Sequence, residues 1–255
     1  MFRYLALIVL TFSLSSYAWG FNVSPISAEI DVTKQRSHLL TVTSQDKEAV
    51  PIKIKAVSWR LTSEGQDVRE DTSDIILFPG QFILRPDERR VVRVAARTKT
   101  KPDIEQTYRI LIQQVPVELK AREGTASGVR LLTSYATAFY VSPKNPRSDV
   151  HLTAVDRASS GLVFKLVNNG NAHTHLYQLI LTFSQDGHSV SFDKDKHMPR
   201  FYNENLLARS ERDFAWKWPA DISKAVNLKR PFDVEVKFSC ESCGGMNAAL
   251  TYSVP

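Results

Sequence analysis

Apolar and polar residues alternate with a period of two along most of this 255-residue chain. The alternation is longest in "GVRLLTSYATAFYVSP", residues 128–143. Further alternating runs occupy residues 52–55, 108–113, 177–183 and 232–240. A period of two places successive side chains on opposite faces of a β-strand. The pattern therefore predicts half-buried, antiparallel strands throughout the chain.

Turn-forming segments separate these runs. They read "SEGQD" at 63–67, "FPGQ" at 78–81, "RPDER" at 85–89, "NNGN" at 168–171 and "QDG" at 185–187. Many short strands joined by such turns are typical of a β-sandwich or barrel. No long segment repeats apolar residues at helical spacing, and only residues 73–80 and 203–213 are interpreted as short helical turns. The predicted fold class is all-β.

One segment interrupts the strand pattern near the middle of the chain. "SPKNPRSD", residues 142–149, has two prolines, several charges and no apolar anchor, which is typical of a linker. We therefore predict two domains, at residues 21–142 and 149–255. Each has about the size of an immunoglobulin-like (Ig-like) sandwich.

The first twenty residues have the composition of a secretory signal peptide. Arg3 precedes an apolar run at 5–12, and small residues, Ala18 and Gly20, occupy the −3 and −1 positions of a cleavage site after residue 20. Cleavage after Ala18 fits almost as well. The apolar run is too short to span a membrane, and no later segment contains eighteen apolar residues. The sequence therefore predicts an exported protein without membrane insertion.

The net charge and the cysteine pair limit the partners and the cysteine chemistry to be expected. The net charge is +6, and no run of five basic residues occurs, so nucleic acid is not an expected partner. The two cysteines, Cys240 and Cys243, form "CESC" near the C-terminus. In an exported chain this spacing favours a local structural disulfide, with a redox or metal role as the alternative. A redox motif would need a helix start after the strand, and the residues that follow indicate another strand.

Several ordered motifs resemble the PapD-like periplasmic chaperones of the chaperone–usher pathway, which assembles pili and fimbriae. They are "FNVSPISAEID" (21–31), "FILRPDERRVVRVAAR" (82–97), "EQTYRILIQQVPVE" (105–118), "GVRLLTSYATAFYVSP" (128–143) and "LVNNGNAHTHLYQL" (166–179). The resemblance covers nearly all of the chain after the signal peptide. It is strongest for the archaic, spore-coat-U-type branch.

The resemblance implies two Ig-like β-sandwich domains in an L or boomerang arrangement. It also implies a chaperone that lends a strand to pilus subunits and delivers them to an outer-membrane usher, without a cofactor. The lent strand would place four residues of one face in the subunit: Val129, Leu131, Thr133 and Tyr135. The opposite face, which includes Leu132 and Ala136, would cover the domain's own core. A self-capping dimer of the free protein is left open.

At two positions, the sequence differs from the well-known branch of the family it resembles. In the well-known branch, an Arg near the start of the first strand and a Lys near the end of the lent strand bind the subunit's C-terminal carboxylate. The matching positions here are Ser27 and about Thr137, and neither can form a charge-assisted bond to a carboxylate. The candidate anchors are arginines inside apolar strands: Arg97 and Arg109 first, then Arg93. The alternative for each is a surface arginine or a structural ion pair.

Two other classes of function are weighed. An enzyme or metal protein could use His173 and His175 with His188 or His197, but no Asp, Glu or Cys joins them at ligand spacing. No catalytic motif occurs either, so no enzyme and no metal site are expected. The remaining alternative is a secreted two-domain Ig-like adhesive or structural fibre protein. A fibre subunit would carry an N-terminal extension, whereas strand-like sequence starts here at residue 21, which favours a chaperone.

Overall fold

The computed structural model describes residues 20–116, 132–193, 203–219, 222–242 and 246–254. Ten strands lie in the part before residue 142: β1 (Phe21–Ser24), β2 (Ser27–Ile30), β3 (Ser37–Ser44), β4 (Val50–Leu61), β5 (Asp67–Asp71), β6 (Ile75–Phe78), β7 (Gln81–Leu84), β8 (Arg89–Ala96), β9 (Gln106–Gln114) and β10 (Ser134–Val141). Eight strands and a short helix follow: β11 (Val150–Ala158), β12 (Gly161–Asn168), β13 (Thr174–Gln185), β14 (His188–Asp193), β15 (Glu204–Leu206), β16 (Ser210–Lys217), α1 (Ile222–Ala225), β17 (Phe232–Cys240) and β18 (Met246–Val254). The all-β fold class is confirmed.

The first ten strands form two sheets that face each other. One has the order β1-β3-β8-β6, and the other has the order β2-β10-β9-β4-β5 with β7 also paired to β4. Apolar side chains from both sheets meet between them in one buried cluster, which includes Phe21, Val42, Ile52, Val92, Ile110, Ile112 and Phe139. Alternate positions along most of these strands supply this core, as the period of two predicts.

The later strands form a second pair of sheets. Their orders are β11-β12-β16 and β14-β13-β17-β18, with β15 also paired to β13. Between them lies a separate core that is rich in aromatic rings, where Phe183 and Trp216 stack with centroids 5.3 Å apart. Among the described strands, none of the first ten pairs with any of the last eight, and residues 142–149 contain no strand. The domain boundaries placed at 142 and 149 stay a prediction.

The two short helical turns expected from the sequence are wrong. Residues 75–78 form β6, which pairs with β8, and residues 204–206 form β15, which pairs with β13. Segments of three or four residues have little conformational preference of their own, so ladder hydrogen bonds to a neighbouring strand decide their structure. In the part of the chain that the structure describes, no helix is long and apolar enough to cross a membrane.

A third, small apolar cluster joins the two sandwiches. Trp59, Ala138 and Tyr140 from the first sandwich pack with Leu207 from the second. Beside this cluster, the Tyr140 ring stacks on the His173 ring at a centroid distance of 3.8 Å. The Glu105 carboxylate accepts hydrogen bonds from the His173 amide at 2.9 Å and pairs with His173 Nδ1 at 2.7 Å. The outer face of the sheet that contains β10 therefore turns toward the second sandwich.

Candidate functional site

Strand β10 has an edge that is only half covered. Its whole length pairs with β9, but only residues 138–141 pair with β2, in parallel. Residues 134–137 have no strand partner on that side among the described residues. The main-chain N–H and C=O groups of such an edge are available to a further strand. This edge is the first component of the candidate site.

The two faces of β10 differ from the expectation. Tyr135, Phe139 and Val141 pack into the core of the first sandwich, and the Tyr135 ring lies 5.3 Å from that of Phe21. Leu132 is 47% exposed and Ala136 is also exposed, so the prediction that their face covers the core is wrong. The register explains the difference, because Tyr135, Thr137 and Phe139 lie opposite buried residues of β9, namely Ile112, Ile110 and Tyr108. Alternation alone does not identify the buried face.

The structure describes two of the four residues predicted to bind a subunit. Thr133 is half-buried, and its carbonyl accepts a hydrogen bond from the Gln114 amide at 3.0 Å. Tyr135 lies on the same, core-facing side of the strand. Val129 and Leu131 lie outside the described residues. A strand that continued with a period of two would place them on the face of Thr133 and Tyr135, and their role stays a prediction.

Register across the sheet places Ser27 and Thr137, the two positions matched to the missing basic residues, on opposite faces. Ser27 on β2 lies opposite Ala138 on β10, and Ala138 lies opposite Arg109 on β9. Thr137 is only 4% exposed and belongs to the opposite, core-facing side. The outer face therefore has two small residues, Ser27 and Ala138, in one row with Arg109. We call Ser27, Ala138 and Arg109 the cleft row. Trp59 lies on the neighbouring strand β4, two residues from Val57, which pairs with Arg109.

Arg109 is held in a partly buried position. Its guanidinium carbon lies 3.7 Å from the centre of the Trp59 ring, and its Nε lies 3.3 Å from Asp67 Oδ2. The Arg109 side chain is 20% exposed. Two buried donors at this contact, Arg109 Nε and Trp59 Nε1, have no hydrogen-bond partner in the structure. The arrangement combines a fixed positive charge with donors that an anion could accept from.

The other two predicted anchors lie elsewhere. Arg93 and Arg97 belong to β8 or follow it, in the sheet that does not contain β10. Arg97 Nε donates to the Ser73 carbonyl at 2.9 Å, and Arg93 is exposed between Phe78 and Leu39 on the neighbouring strands. The structure therefore does not bring the three arginines together. Sequence reasoning missed Trp59 and Asp67, whose contact with Arg109 depends on cross-strand register.

The histidines and the cysteines take structural positions. His173 pairs with Glu105, whereas His175 Nδ1 lies 3.0 Å from Glu241. No group of three metal-ligating side chains occurs in the described residues, and His197 lies outside them. Burial raises the pKa of Tyr140, which stacks on His173, to about 12. Cys240 is disulfide-bonded, and its predicted partner, Cys243, lies outside the described residues.

One family model matches part of the chain. Residues 29–147 match the model of the pili and flagellar-assembly chaperone, PapD N-terminal domain. A search of curated proteins found no match.

Solved structures show the same fold over more of the chain. One is the chaperone–tip adhesion subunit pre-assembly complex CsuC–CsuE from archaic Csu pili of Acinetobacter baumannii, with a TM-score of 0.61 and 15% identity over 92% of this chain and 97% of that one. Another is the complex of the Salmonella enterica SafA pilin with the SafB chaperone, at 0.54 and 11% over 92% and 97%. A third is the class 5 fimbriae chaperone CfaA, at 0.53 and 20% over 92% and 100%.

At these identities the solved structures establish the fold, which is that of two Ig-like β-sandwich domains. The family model adds a sequence match over residues 29–147, the region that contains β10, Trp59 and Arg109. The resemblance indicated by the motifs is thereby confirmed. The chain resembles the PapD-like chaperones of the chaperone–usher pathway, in sequence over residues 29–147 and in fold over both sandwiches.

Proposed function

We propose that this protein is a periplasmic chaperone that holds pilus or fimbrial subunits by lending them a strand and delivers them to an outer-membrane usher. The observation that carries the proposal is the edge of β10 at residues 134–137, which has no strand partner on one side among the described residues. Export by the signal peptide at residues 1–20 is part of the proposal, and residues 1–19 lie outside the described residues.

The lent strand would be β10 together with the residues before it. Main-chain hydrogen bonds along the edge would provide affinity, and alternate side chains would fill the subunit's groove. Val129, Leu131 and Thr133 would be those side chains, because a continued strand would place them on the face of Tyr135 and Phe139. Tyr135, the fourth predicted residue, packs against the core of the first sandwich, so we rank it last. Each apolar side chain removed from water contributes about 1.5–3 kcal/mol. Binding of this kind needs no cofactor.

The subunit's C-terminal carboxylate would bind at Arg109. Ser27, one of the two positions matched to the basic residues of the well-known branch, lies in the cleft row with Ala138 and Arg109. A carboxylate in a partly desolvated cleft needs a cation, and Arg109 is the predicted anchor that lies on the same sheet as β10. Arg97 and Arg93 are in the other sheet, so we rank them below Arg109.

The partner class comes from the solved relatives. The CsuC–CsuE structure is a complex of a chaperone with a tip adhesion subunit, and the SafA–SafB structure is a complex of a pilin with its chaperone. We extend this partner class to the present chain. Usher delivery is proposed from the resemblance alone, whereas the open edge of β10 would also allow a self-capping dimer of the free chain.

The test is co-purification from periplasm with the fimbrial subunit encoded beside the protein. We expect the wild type to yield a one-to-one complex and the variant Leu131→Glu with Thr133→Glu to leave the subunit unbound and degraded. Charges on these side chains would enter an apolar groove, where an unpaired charge is strongly unfavourable.

The matched control is Leu132→Glu, which adds a charge one residue away on the exposed face. It should retain the complex. Equal binding by the double variant and the wild type would contradict the lent strand. Failure of the wild type to bind any subunit would contradict the chaperone function and favour the adhesive or fibre protein.

A further inference from the structure

We propose that Asp67 is a built-in occupant of the carboxylate site at Arg109, which a subunit's terminal carboxylate displaces. In the free chain Asp67 would hold the Arg109 guanidinium over Trp59, and in the complex Arg109 would pair with the subunit instead. This inference rests on the proposed function, because it assigns a regulatory residue to the same site. Asp67 lies on β5, the edge strand of the sheet that contains β9 and β10.

Asp67 has the position and the charge of a carboxylate ligand. It reaches Arg109 across β4, with its Oδ2 3.3 Å from Nε and its Oδ1 3.4 Å from Nη2. Burial by itself raises the pKa of Asp67, but the hydrogen bond from Arg69 and the charge of Arg109 outweigh it and leave this pKa below its ordinary value. Asp67 is therefore an ionised carboxylate at neutral pH, as a chain terminus would be.

The contact between Asp67 and Arg109 is looser than a bidentate pair. Well-formed bonds between Arg and a carboxylate are about 2.7–2.9 Å long, whereas both Arg109 distances exceed 3.2 Å. Arg109 Nε lies within ion-pair distance of Asp67 but makes no hydrogen bond to it. A carboxylate that approached with better geometry would therefore form stronger bonds with Arg109 than Asp67 does.

A second unused donor lies at the same contact. The Trp59 indole Nε1 is buried and has no hydrogen-bond partner in the structure, although the residue is only 4% exposed. Buried donors are almost always paired, and one left unpaired is costly. The Trp59 ring lies directly under the Arg109 guanidinium. Arg109 Nε and Trp59 Nε1 are thus two unpaired donors beside one positive charge. Such a site suits an acceptor with two oxygens, such as a carboxylate.

Release of Arg109 would not leave Asp67 without a partner. Arg69 Nη2, on the same strand, donates to Asp67 Oδ2 at 2.8 Å, which is shorter than either contact with Arg109. Because Arg69 would retain the negative charge of Asp67, the exchange costs only the weaker of its two ion pairs. Partly exposed ion pairs contribute little to stability, so a modest gain at the new carboxylate is enough for displacement.

The test compares two single-charge variants of strand β5 in the purified full chain. Asp67→Asn removes the proposed occupant, and Asp71→Asn removes a carboxylate of the same strand that pairs with Lys55 at 2.5 Å and does not contact Arg109. The probe is a synthetic peptide of the subunit's last residues, prepared with a free C-terminal carboxylate and as the C-terminal amide. Its dissociation constant is measured by calorimetric titration.

We expect Asp67→Asn to bind the free-acid peptide roughly two- to fivefold more tightly than the wild type, which is the range that one partly exposed ion pair supports. Asp71→Asn should bind like the wild type, and the amide peptide should not distinguish the three chains. In an Arg109→Gln background, Asp67→Asn should no longer improve binding. These results together would support the displacement.

Other outcomes overturn the inference. Unchanged or weaker binding of the free acid by Asp67→Asn would show that Asp67 does not compete for Arg109. An equal gain in Asp71→Asn would assign the effect to net charge. If the wild type forms the subunit complex but Asp67→Asn binds the free-acid peptide no more tightly than the wild type does, the proposed function stands and the inference fails. If no chain binds the peptide or the subunit, both fail.

Discussion

At the scale of single residues, Asn168 organises the start of the second sandwich. Its side chain is fully buried, and its Nδ2 donates to three carbonyls, those of Ala172, Leu206 and Leu207. Its Oδ1 accepts from the amides of Asp149 and Gly170. One amide group thereby fixes the end of the linker, the "NNGN" turn and the loop after β15. Asparagine suits this position because it carries donors and an acceptor in one neutral group.

We expect Asn168→Asp to lower the free energy of unfolding by about 2–4 kcal/mol, because a carboxylate cannot donate to three carbonyls and would be buried beside them. Urea unfolding of the full chain measures this loss. The control is Asn169→Asp at the neighbouring exposed position, which should change stability by less than about 0.5 kcal/mol. Equal losses in the two variants would contradict the role of Asn168.

At the scale of elements, β10 shows which properties of a strand the sequence predicts and which it does not. Its alternation predicts a strand, and its order among the other motifs predicts which strand it is. The buried face depends on pairing with β9, where Tyr135 lies opposite Ile112. Thr137 and Ala138 are neighbours in the chain but lie on opposite faces of β10. Thr137 is buried toward the core, and Ala138 lies in the cleft row. Register is a property of the sheet, so alternation in one strand cannot decide it.

The candidate site was predicted only in part for the same reason. Arg109 could be selected because an arginine inside an apolar strand needs a partner or a task. Trp59 and Asp67 are 50 and 42 positions away in the chain, and only the order β9-β4-β5 brings them to Arg109. Strand β6 was missed because its pairing with β8 outweighs the local pattern of its four residues.

At the scale of the whole molecule, the joint between the sandwiches combines apolar packing with buried polar groups. Tyr140 is its centre, because it packs with Leu207, stacks on His173 and accepts a hydrogen bond from Asn205 Nδ2 at 2.5 Å. Glu105 links the loop before β9 to His173. This joint holds the outer face of the β10 sheet toward the second sandwich and so maintains the cleft around Arg109.

The joint predicts a loss of stability at alkaline pH. Burial raises the pKa of Tyr140 to about 12, above the value of about 10 for an unfolded tyrosine. A raised folded pKa gives stability that is present below about pH 10 and is lost as the pH rises toward 12. We expect the free energy of unfolding to fall less steeply between pH 10 and 12 in Tyr140→Phe than in the wild type, as measured by urea unfolding.

Part of the slope should remain in that variant, since burial and the nearby Asp74 also raise the pKa of Tyr108. Identical slopes in the two proteins would show that the pKa of Tyr140 is no higher in the folded chain than in the unfolded chain.

The proposed function requires that β10 and the residues before it are lent to a subunit. Amide hydrogen exchange of the one-to-one complex, compared with the free chain, tests it most directly. We predict new protection in residues 129–137, because the edge without a strand partner would gain main-chain hydrogen bonds. Unchanged exchange in this segment, with new protection confined to the outer face of the β1-β3-β8-β6 sheet, would show that the subunit binds elsewhere and that β10 is not lent.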